Sequence, residues 1–336
     1  MARRLRFVPE GSLVEITART VQGRFLLKPG PGWSETFVGI LARAQELYPV
    51  RLHAFVCLSN HLHLLASPDD AHQLAAFMRH VLTNLSKEAG RRHGWRGPLF
   101  ERRYQAIVVT GEQYAHVERL TYLLRHGAKE GLIARPEDWP GPHCAKALRT
   151  GEPVRGVWIS RTAQWVARNR GQQLSDAQAS IPQELKLEPL PCWTHLSPEA
   201  HRSAVADILK QIEEDTALRH QRDETTPLGV ADILAQHPHA APNKPKRAPA
   251  PLVHAASRKP QDETGVLRPL RRLRRRLLRG RRAAQAHLLQ FPERLCRGDR
   301  VSACAAVTWR LAIVRRDRCM VPTHDSLSLD MLGNGR

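Results

Sequence analysis

Two histidines separated by one residue are the first candidates for chemistry. His61 and His63 flank Leu62 in a stretch whose alternation of side chains predicts a strand. Residues i and i+2 of a strand point the same way, about 6–7 Å apart at Cα, so both imidazoles can converge on one divalent cation. Imidazole is the commonest metal-binding side chain. The pattern is short, however, and two histidines at a sheet edge would also produce it.

A tyrosine and a third histidine lie on a predicted helix over residues 111–127. Thr110 and Gln113 match a capping box at its start. The predicted buried stripe consists of Tyr114, Val117, Thr121 and Leu124. At 100° per residue, Tyr122 lies about 140° from the centre of that stripe, so it is not placed as a core aromatic. His126 shares the face of Tyr122 and can serve as a third metal ligand, although simple stacking of the two rings is the alternative.

The elements that would position these residues fall within residues 1–150. Alternation predicts strands over residues 12–18, 51–58, 61–66 and 104–109, and helical spacing predicts helices over 35–48, from about 70 onwards, and over 111–127. Ser34 is the expected cap of the first helix, and Leu52, Ala54, Val56 and Leu58 are expected on one strand face. The order β-α-β-β-α-β-α predicts an α+β fold with a ferredoxin-like antiparallel sheet and helices on one face.

The signals weaken after residue 150. Residues 151–236 are predicted to form a helical accessory region, with one helix from Ser197 to about His220 and a short one near residues 229–236. Residues 237–336 are predicted to be a Pro/Arg-rich linker and basic tail, poorly ordered. The expected architecture is therefore a 1–150 catalytic domain with a mainly helical, partly disordered basic extension.

Charge points to an anionic partner. The chain has 52 Lys and Arg against 32 Asp and Glu, a net charge of +20, and nucleic acid is the commonest partner of such a protein. More than half of the excess lies after residue 250, so a basic tail on an ordinary enzyme is the alternative. No apolar run reaches the ~18 residues of a membrane helix. No signal peptide is recognisable, so the chain is expected to be cytoplasmic.

Several motifs resemble those of a known family. Residues 54–65 resemble the His-hydrophobic-His motif of single-tyrosine HUH transposases, and look closest to the transposases associated with repetitive extragenic palindromes. Residues 97–104, 121–126 and 131–140 follow in the order found in that family. The resemblance covers about residues 5–150.

The resemblance implies a role for each candidate residue. It makes His61 and His63 ligands of Mg²⁺ or Mn²⁺, and Tyr122 the nucleophile of a DNA nicking and joining reaction that leaves a 5′-phosphotyrosine and a free 3′-hydroxyl. Where these enzymes usually have Gln or Asn four residues after the tyrosine, this chain has His126. An imidazole can still be the third ligand, but the change could favour softer metals or mark a decayed site. Glu118, one turn before Tyr122, is a candidate general base.

The resemblance also implies the substrate, which is single-stranded DNA near a hairpin. Five arginines lie near aromatic residues in a mixture suited to phosphate contacts and base stacking. The arginines are Arg91, Arg92, Arg96, Arg102 and Arg103, and the aromatic residues are Trp95, Phe100 and Tyr104. A solvated basic loop is the alternative. Relatives occur as monomers and as dimers that exchange the tyrosine helix, and both states stay open here.

Two other functions compete with this interpretation. A domesticated, catalytically decayed relative would bind DNA hairpins without cutting them. A metal-dependent hydrolase would use His61, His63 and His126 with water as the nucleophile. The second lacks an acidic residue near the His-Leu-His motif in sequence.

Overall fold

The computed structural model describes residues 8–242 and the backbone of Val253–His254. The strands are β1 (Val14–Arg19), β2 (Arg51–Leu58), β3 (His61–Ser67), β4 (Gln105–Val109), β5 (Val154–Ile159), β6 (Ser180–Leu185) and β7 (Val253–His254). The helices are α1 (Trp33–Leu47), α2 (Ala71–His93), α3 (Gln113–Leu124), α4 (Ala145–Thr150), α5 (Arg161–Asn169), α6 (Pro198–Arg222) and α7 (Val230–Ala235). The arginine run over residues 268–282 and most of the predicted tail lie outside the described residues.

The main sheet has the predicted ferredoxin-like order. Its strands lie in the order β2-β3-β1-β4-β7, and the first four pair antiparallel. The chain turns between β2 and β3 through Ser59 and Asn60, because Leu58 pairs directly with His61. The link is therefore a two-residue hairpin. The α+β fold class is confirmed.

Helices cover both faces of this sheet. Phe55 pairs with Leu64 across β2 and β3, so both share a face, and Phe55 packs on Phe37 of α1 with ring centroids 6.0 Å apart. Helices α1 and α2, which contact each other, form the expected layer on this face. The opposite face carries His63, and α3 packs there on β2, β3 and β4. Helices on both faces of the sheet explain why β2 and β3 are buried almost throughout.

A β-bulge at His53 changes the predicted facing of β2. Leu52 pairs with Ala66 but Ala54 pairs with Leu65, so Leu52 and Ala54 lie on opposite faces. The expectation that they share a face is wrong, because one extra residue shifts the alternation. The buried ring of His53 lies between the hydroxyl of Ser67, 2.9 Å away, and the carbonyl of Glu188, 3.0 Å away.

His53 should make the fold sensitive to acid. Burial lowers the pKa of His53 to about 4 from an ordinary value near 6.5. The unfolded chain therefore takes up the proton first, so stability present above about pH 6.5 is lost as the pH falls towards 4. We expect His53 alone to cost about 2 kcal/mol between about pH 7 and pH 5. Urea unfolding of the wild type and of His53→Asn at both pH values measures this loss of unfolding free energy. An equal pH dependence of stability in the two proteins would contradict the prediction.

The residues that cap the N-termini of the helices differ in part from those predicted. Asp70 caps α2, accepting hydrogen bonds of 2.7 Å from the amides of His72 and Gln73. Two caps predicted from the sequence, Ser34 and Thr110, are wrong. Helix α1 starts after Gly32 and not after Ser34, and the Thr110 hydroxyl bonds the Glu112 carboxylate instead of a helix amide.

A two-stranded sheet, β5 and β6, packs on the outer side of α1 and was not predicted from the sequence. The contact is made backbone to backbone at two glycines. A Cβ on Gly39 would lie 2.2 Å from the carbonyl of Val157, and one on Gly156 would lie 2.3 Å from the nitrogen of Gly39. Two glycines thus permit an approach that any side chain would prevent.

Gly39→Ala should therefore destabilise the protein although alanine is the better helix former. Helix propensity alone favours the substitution by about 1 kcal/mol. The clash with Val157 has no flexible side chain to absorb it, and overpacking of this kind costs about 1–3 kcal/mol or more. We expect a net loss of about 2 kcal/mol in chemical unfolding. Gly111→Ala, where a Cβ meets nothing within 4 Å, is the control; equal stability of the two variants would refute the close contact.

The later helices follow the sequence closely. Helix α6 starts at Pro198 with the Ser197 hydroxyl as its cap and runs to Arg222, two residues beyond the predicted end. Helix α7 occupies the predicted short segment. Among the helices described, none combines the length and apolar character that crossing a bilayer requires.

Candidate metal centre and nucleophile

Three histidines converge on the α3 face of the sheet. His61 and His63 lie on β3, and His126 lies two residues beyond α3. Ring centroids are 5.1 Å apart for His61 and His63, 5.8 Å for His61 and His126, and 4.2 Å for His63 and His126. One ring nitrogen from each lies within 4.8 Å of the others. The structure thus brings the three predicted ligands together.

Each imidazole is oriented through its Nδ1 atom. This atom lies 2.6 Å from the Asn60 side-chain oxygen in His61, 2.9 Å from a Glu15 carboxylate oxygen in His63 and 3.1 Å from the Leu123 carbonyl in His126. An acceptor at Nδ1 assigns the hydrogen to that nitrogen. The lone pair of each Nε2 is then available to a cation, which is the usual arrangement of metal-binding histidines.

Glu15 is the residue that the sequence analysis missed. Its buried carboxylate bonds His63 through one oxygen and Arg119 of α3 through the other, at 2.7 Å. Burial alone would raise the pKa of Glu15, but the bonds and charges of His63 and Arg119 outweigh it, and the pKa is lowered. The carboxylate is therefore charged and links the sheet to α3. Thr17, directly opposite His63 on β1, adds a 3.1 Å contact to the same ring nitrogen.

The electrostatics of the cluster suit metal binding. Burial, the neighbouring histidines and Lys129 hold the pKa of His126 well below its ordinary value. Burial and His63 do the same for the pKa of His61. Neutral imidazoles are the form that binds a cation. Ligands of a tetrahedral ion at bond lengths of about 2.0–2.1 Å lie about 3.4 Å apart, so nitrogens within 4.8 Å of one another need to approach by at most about 1.4 Å. The residues present fit a divalent transition ion.

Tyr122 lies beside this cluster. Its ring centroid is 4.8 Å from that of His126 and 6.0 Å from that of His63. Burial raises the pKa of the Tyr122 phenol, Glu15 adds to the effect, and Arg119 opposes it. The hydroxyl is therefore protonated at neutral pH, so the site has to activate it before it can attack.

Three cations surround the Tyr122 ring. The guanidinium carbon of Arg119 lies 4.4 Å from the ring centroid, that of Arg125 lies 5.2 Å away, and the Lys129 ammonium lies 4.5 Å away. Arg119 is held by Glu15, whereas Arg125 and Lys129 are more exposed. This concentration of positive charge suits an anionic reactant at the phenol.

The buried face of α3 differs from the predicted stripe, although the conclusion drawn from it holds. Tyr114 is 68% exposed and Val117 is only partly buried. The residues buried on α3 are Ala115, His116, Leu120, Leu123 and Leu124. Tyr122 lies at the edge of this face and is half-buried, so it is not a core aromatic.

The predicted DNA-binding arginines lie on the surface near the end of α2. Arg96, Arg102 and Arg103 are exposed, Arg91 pairs with Glu88 at 2.6 Å, and Arg92 donates to the Pro31 carbonyl at 2.8 Å. The aromatic residues among them differ in access. Trp95 and Phe100 are partly exposed, but Tyr104 is 6% exposed and its ring packs in the core.

The general base stays a prediction. Glu118 is partly buried on α3, one turn before Tyr122. Glu15 is the carboxylate that contacts a cluster histidine directly, but both its oxygens already accept bonds from His63 and Arg119. Its position favours a supporting role and not proton transfer.

Comparison with known proteins gives two solved structures of transposases. One is the structure of a REP-associated tyrosine transposase bound to a REP hairpin, with a TM-score of 0.38 and 14% identity over 46% of this chain and 90% of that chain. The other is a candidate transposase from Deinococcus radiodurans R1, with a TM-score of 0.26 and 15% identity over 36% of this chain and 95% of that chain. No protein-family model matches the sequence, and neither does any curated protein.

Proposed function

We propose that this chain is a transposase-type enzyme that cuts and rejoins single-stranded DNA, with Tyr122 as nucleophile. One observation carries the proposal. A phenol, three oriented imidazoles and a ring of cations meet in one site of one chain. The site needs no tyrosine from a second copy of the chain. The resemblance of the sequence motifs to single-tyrosine HUH transposases supports the same reaction.

His61, His63 and His126 would hold one divalent ion through their Nε2 atoms. Such an ion polarises the scissile phosphate and orients it for in-line displacement. The three nitrogen donors favour Mn²⁺ or a softer transition ion, because Mg²⁺ prefers oxygen ligands. Glu15 would keep the ring of His63 in its ligating orientation, as carboxylate partners of metal-binding histidines do.

Tyr122 would attack the phosphorus of one phosphodiester. A bond forms between its phenolic oxygen and phosphorus, the bond from phosphorus to the 3′-oxygen breaks, and that oxygen leaves as a hydroxyl. The proton lost by Tyr122 balances the one gained by the leaving oxygen. Because the phosphoester is retained on the protein, a second 3′-hydroxyl can reverse the step without ATP, which makes strand transfer possible.

Arg119, Arg125 and Lys129 would stabilise this reaction electrostatically. All three lie within 5.2 Å of the Tyr122 ring centroid. Positive groups fixed near a phenol favour its anionic form, and they also attract the phosphate oxygens. Arg119 and Arg125 oppose the effect of burial, although the pKa of Tyr122 stays raised.

The substrate proposed is single-stranded DNA, with a hairpin near the cut. Arg96, Arg102 and Arg103 are exposed on the segment that precedes β4, and the backbone of this segment bonds β1 between Glu101 and Arg19. Arg19 of β1 pairs directly with His61 of the neighbouring strand β3. The exposed arginines are thus carried by a segment joined to the strand beside the metal centre, where they can contact phosphates.

The test is a covalent adduct on the full-length protein. A single-stranded oligonucleotide carrying a hairpin is incubated with the protein and Mn²⁺, then analysed on a denaturing gel. A 3′-label is expected to migrate with the protein, because the downstream fragment bears the phosphotyrosine. A 5′-label is expected in a shorter free strand that ends in a 3′-hydroxyl.

Two results would contradict the proposal and indicate a different function. Cutting that leaves a free 5′-phosphate and no adduct would indicate a hydrolase that uses water at the same histidines. Binding of the hairpin without cutting, over a range of sequences and metals, would indicate a decayed DNA-binding relative. Identification of the modified residue by mass spectrometry distinguishes Tyr122 from the other nucleophiles of the chain.

A further inference from the structure

A basic cleft lies beside the hairpin turn that leads into β3. It has a volume of about 620 Å³ and is lined by Lys28, Pro29, Gly30, Pro31, Arg92, His93, Pro140, Leu234 and Pro238. No residue of this lining is acidic. Among the described residues, neither Lys28 nor Arg92 forms an ion pair with a carboxylate, unlike Arg91 and Arg161, which both pair with Glu88. The positive charge of the cleft is therefore not neutralised by the protein itself.

The C-terminal segment over residues 230–242, which we call the strap, forms one wall of the cleft. The Lys28 ammonium donates to the carbonyls of Leu234 and Gln236, at 2.7 and 2.8 Å. Arg24 donates to the carbonyl of His239, and the Phe25 amide donates to the carbonyl of Ala240 at 2.9 Å. Backbone carbonyls fix the cations without cancelling their charge.

Other basic side chains surround the same space. Burial lowers the pKa of His93 to about 4, and the nearby charges of Arg92 and Lys28 add to the effect. The His239 ring lies 2.9 Å from the carbonyl of His93 and stacks edge-on against Trp95, with centroids 5.3 Å apart. His93 is therefore uncharged at neutral pH, and the cations here are Lys28, Arg92 and Arg24. The Arg24 guanidinium carbon lies 5.5 Å from the ring centroid of the partly exposed Trp95, and cations beside an accessible indole are typical of surfaces that bind single-stranded nucleic acid.

The cleft is joined to the metal centre through Asn60. The side-chain amide of Asn60 donates to the Gly23 carbonyl at 3.1 Å, and its oxygen orients His61 at 2.6 Å. The Leu27 amide also donates to the Ser59 carbonyl at 2.9 Å. The loop that carries Arg24 and Lys28 is thus fixed to the turn that positions a metal ligand.

We infer that the basic cleft binds the phosphodiester backbone of single-stranded DNA next to the cut, and that the strap completes this binding surface. The inference rests on the proposed function. It gives residues 230–242 a role in substrate binding, and it adds Arg24 and Lys28 to the arginines predicted from the sequence. Because Lys28 and Arg92 contact phosphate and not bases, their effect should be the same for every sequence.

The test is equilibrium binding of a fluorescein-labelled single strand of mixed sequence, measured by anisotropy in EDTA at several salt concentrations. The double variant Lys28→Gln/Arg92→Gln removes two charges but keeps donors for the carbonyls. Each lost phosphate contact lowers the salt slope by about 0.7, so we expect a decrease of about 1.4 and a roughly tenfold or greater loss of affinity. Arg168→Gln/Arg170→Gln removes two exposed charges from α5 and its C-terminal end and should leave the slope unchanged.

A second pair of variants tests the strap. Leu234→Glu places a carboxylate on the wall of the cleft and should weaken binding severalfold, whereas Leu234→Gln should not. Leu234 is 41% exposed, so neither change disturbs the core, and thermal unfolding verifies this. An unchanged salt slope in the Lys28/Arg92 variant, an equal decrease in the α5 control, or equal affinities for the two Leu234 variants would overturn the inference.

This result is independent of the chemistry at Tyr122. If the wild type forms no adduct but the cleft variants still lose DNA affinity, the proposed function is wrong and the inference that the cleft binds DNA is retained. If the adduct forms normally and the salt slope of the cleft variant does not change, the inference about the cleft is wrong and the proposed function is retained.

Discussion

Tyr122→Phe is expected to abolish the covalent protein–DNA adduct and to reduce cutting by about three orders of magnitude or more, since no other group can form the same intermediate. The substitution removes one oxygen atom and keeps the ring that packs against His126 and the three cations. Folding and metal affinity should therefore stay unchanged. Adduct yield on a denaturing gel, together with metal titration by calorimetry, measures both properties.

Tyr114→Phe is the matched control for this variant. Tyr114 lies on the same helix and is 68% exposed, away from the histidine cluster. It should retain full activity. Cutting that persists in Tyr122→Phe with a free 5′-phosphate would show that water is the nucleophile, and the proposed reaction would be wrong.

Removing His126 should have the second large effect, on metal binding. Loss of a mere hydrogen-bond partner of a ligand typically costs 10–100-fold in metal affinity, so loss of a ligand in His126→Ala should cost at least about a hundredfold for Mn²⁺. His126→Gln should recover part of the binding and shift the preference towards Mg²⁺, because an amide oxygen replaces an imidazole nitrogen. Calorimetric titration of each protein with Mn²⁺ and Mg²⁺ gives the two affinities.

His116→Gln separates this effect from general disturbance of α3. His116 is also a buried histidine of the helix, but it does not belong to the cluster. The metal affinity of the His116→Gln variant should equal that of the wild type. If the wild type bound Mg²⁺ as tightly as Mn²⁺, or if His126→Ala kept its affinity, the three-imidazole centre would be refuted.

The local periodicity of the sequence predicted most of the sheet and the common facing of His61 and His63. A strict alternation placed His61 and His63 on one face of a strand, and antiparallel pairing with β1 preserved that facing. The buried stripe of α3 was misplaced because Tyr114, an apolar residue by type, is at the solvent-exposed start of the helix. Hydrophobic type alone does not say which side of a short helix meets the core.

Long-range contacts could not be predicted from local patterns. Glu15 lies 48 residues before His63, and only the strand order brings them onto neighbouring strands, where Glu15 is two residues before the position paired with His63. The alternation in β1 did contain the signal, because Glu15 and Thr17 are polar residues on the strand that the ferredoxin-like order places next to β3. The sheet of β5 and β6 was missed because both strands are mostly partly exposed and neither shows a regular alternation of apolar and polar residues.

The close fit between Gly39 and Gly156 bears on how the chain can be divided. Residues 151–236 were predicted to be an accessory region, yet β5 lies so near α1 that their main chains are in van der Waals contact. A protein shortened at residue 150 would expose the outer side of α1, including Val38 and Ala42, which are now at most 5% accessible. Such a fragment would expose an apolar surface of α1 through which it could associate with other protein molecules. A shortened protein that is to keep the fold around the histidine cluster should therefore retain the chain through at least residue 185.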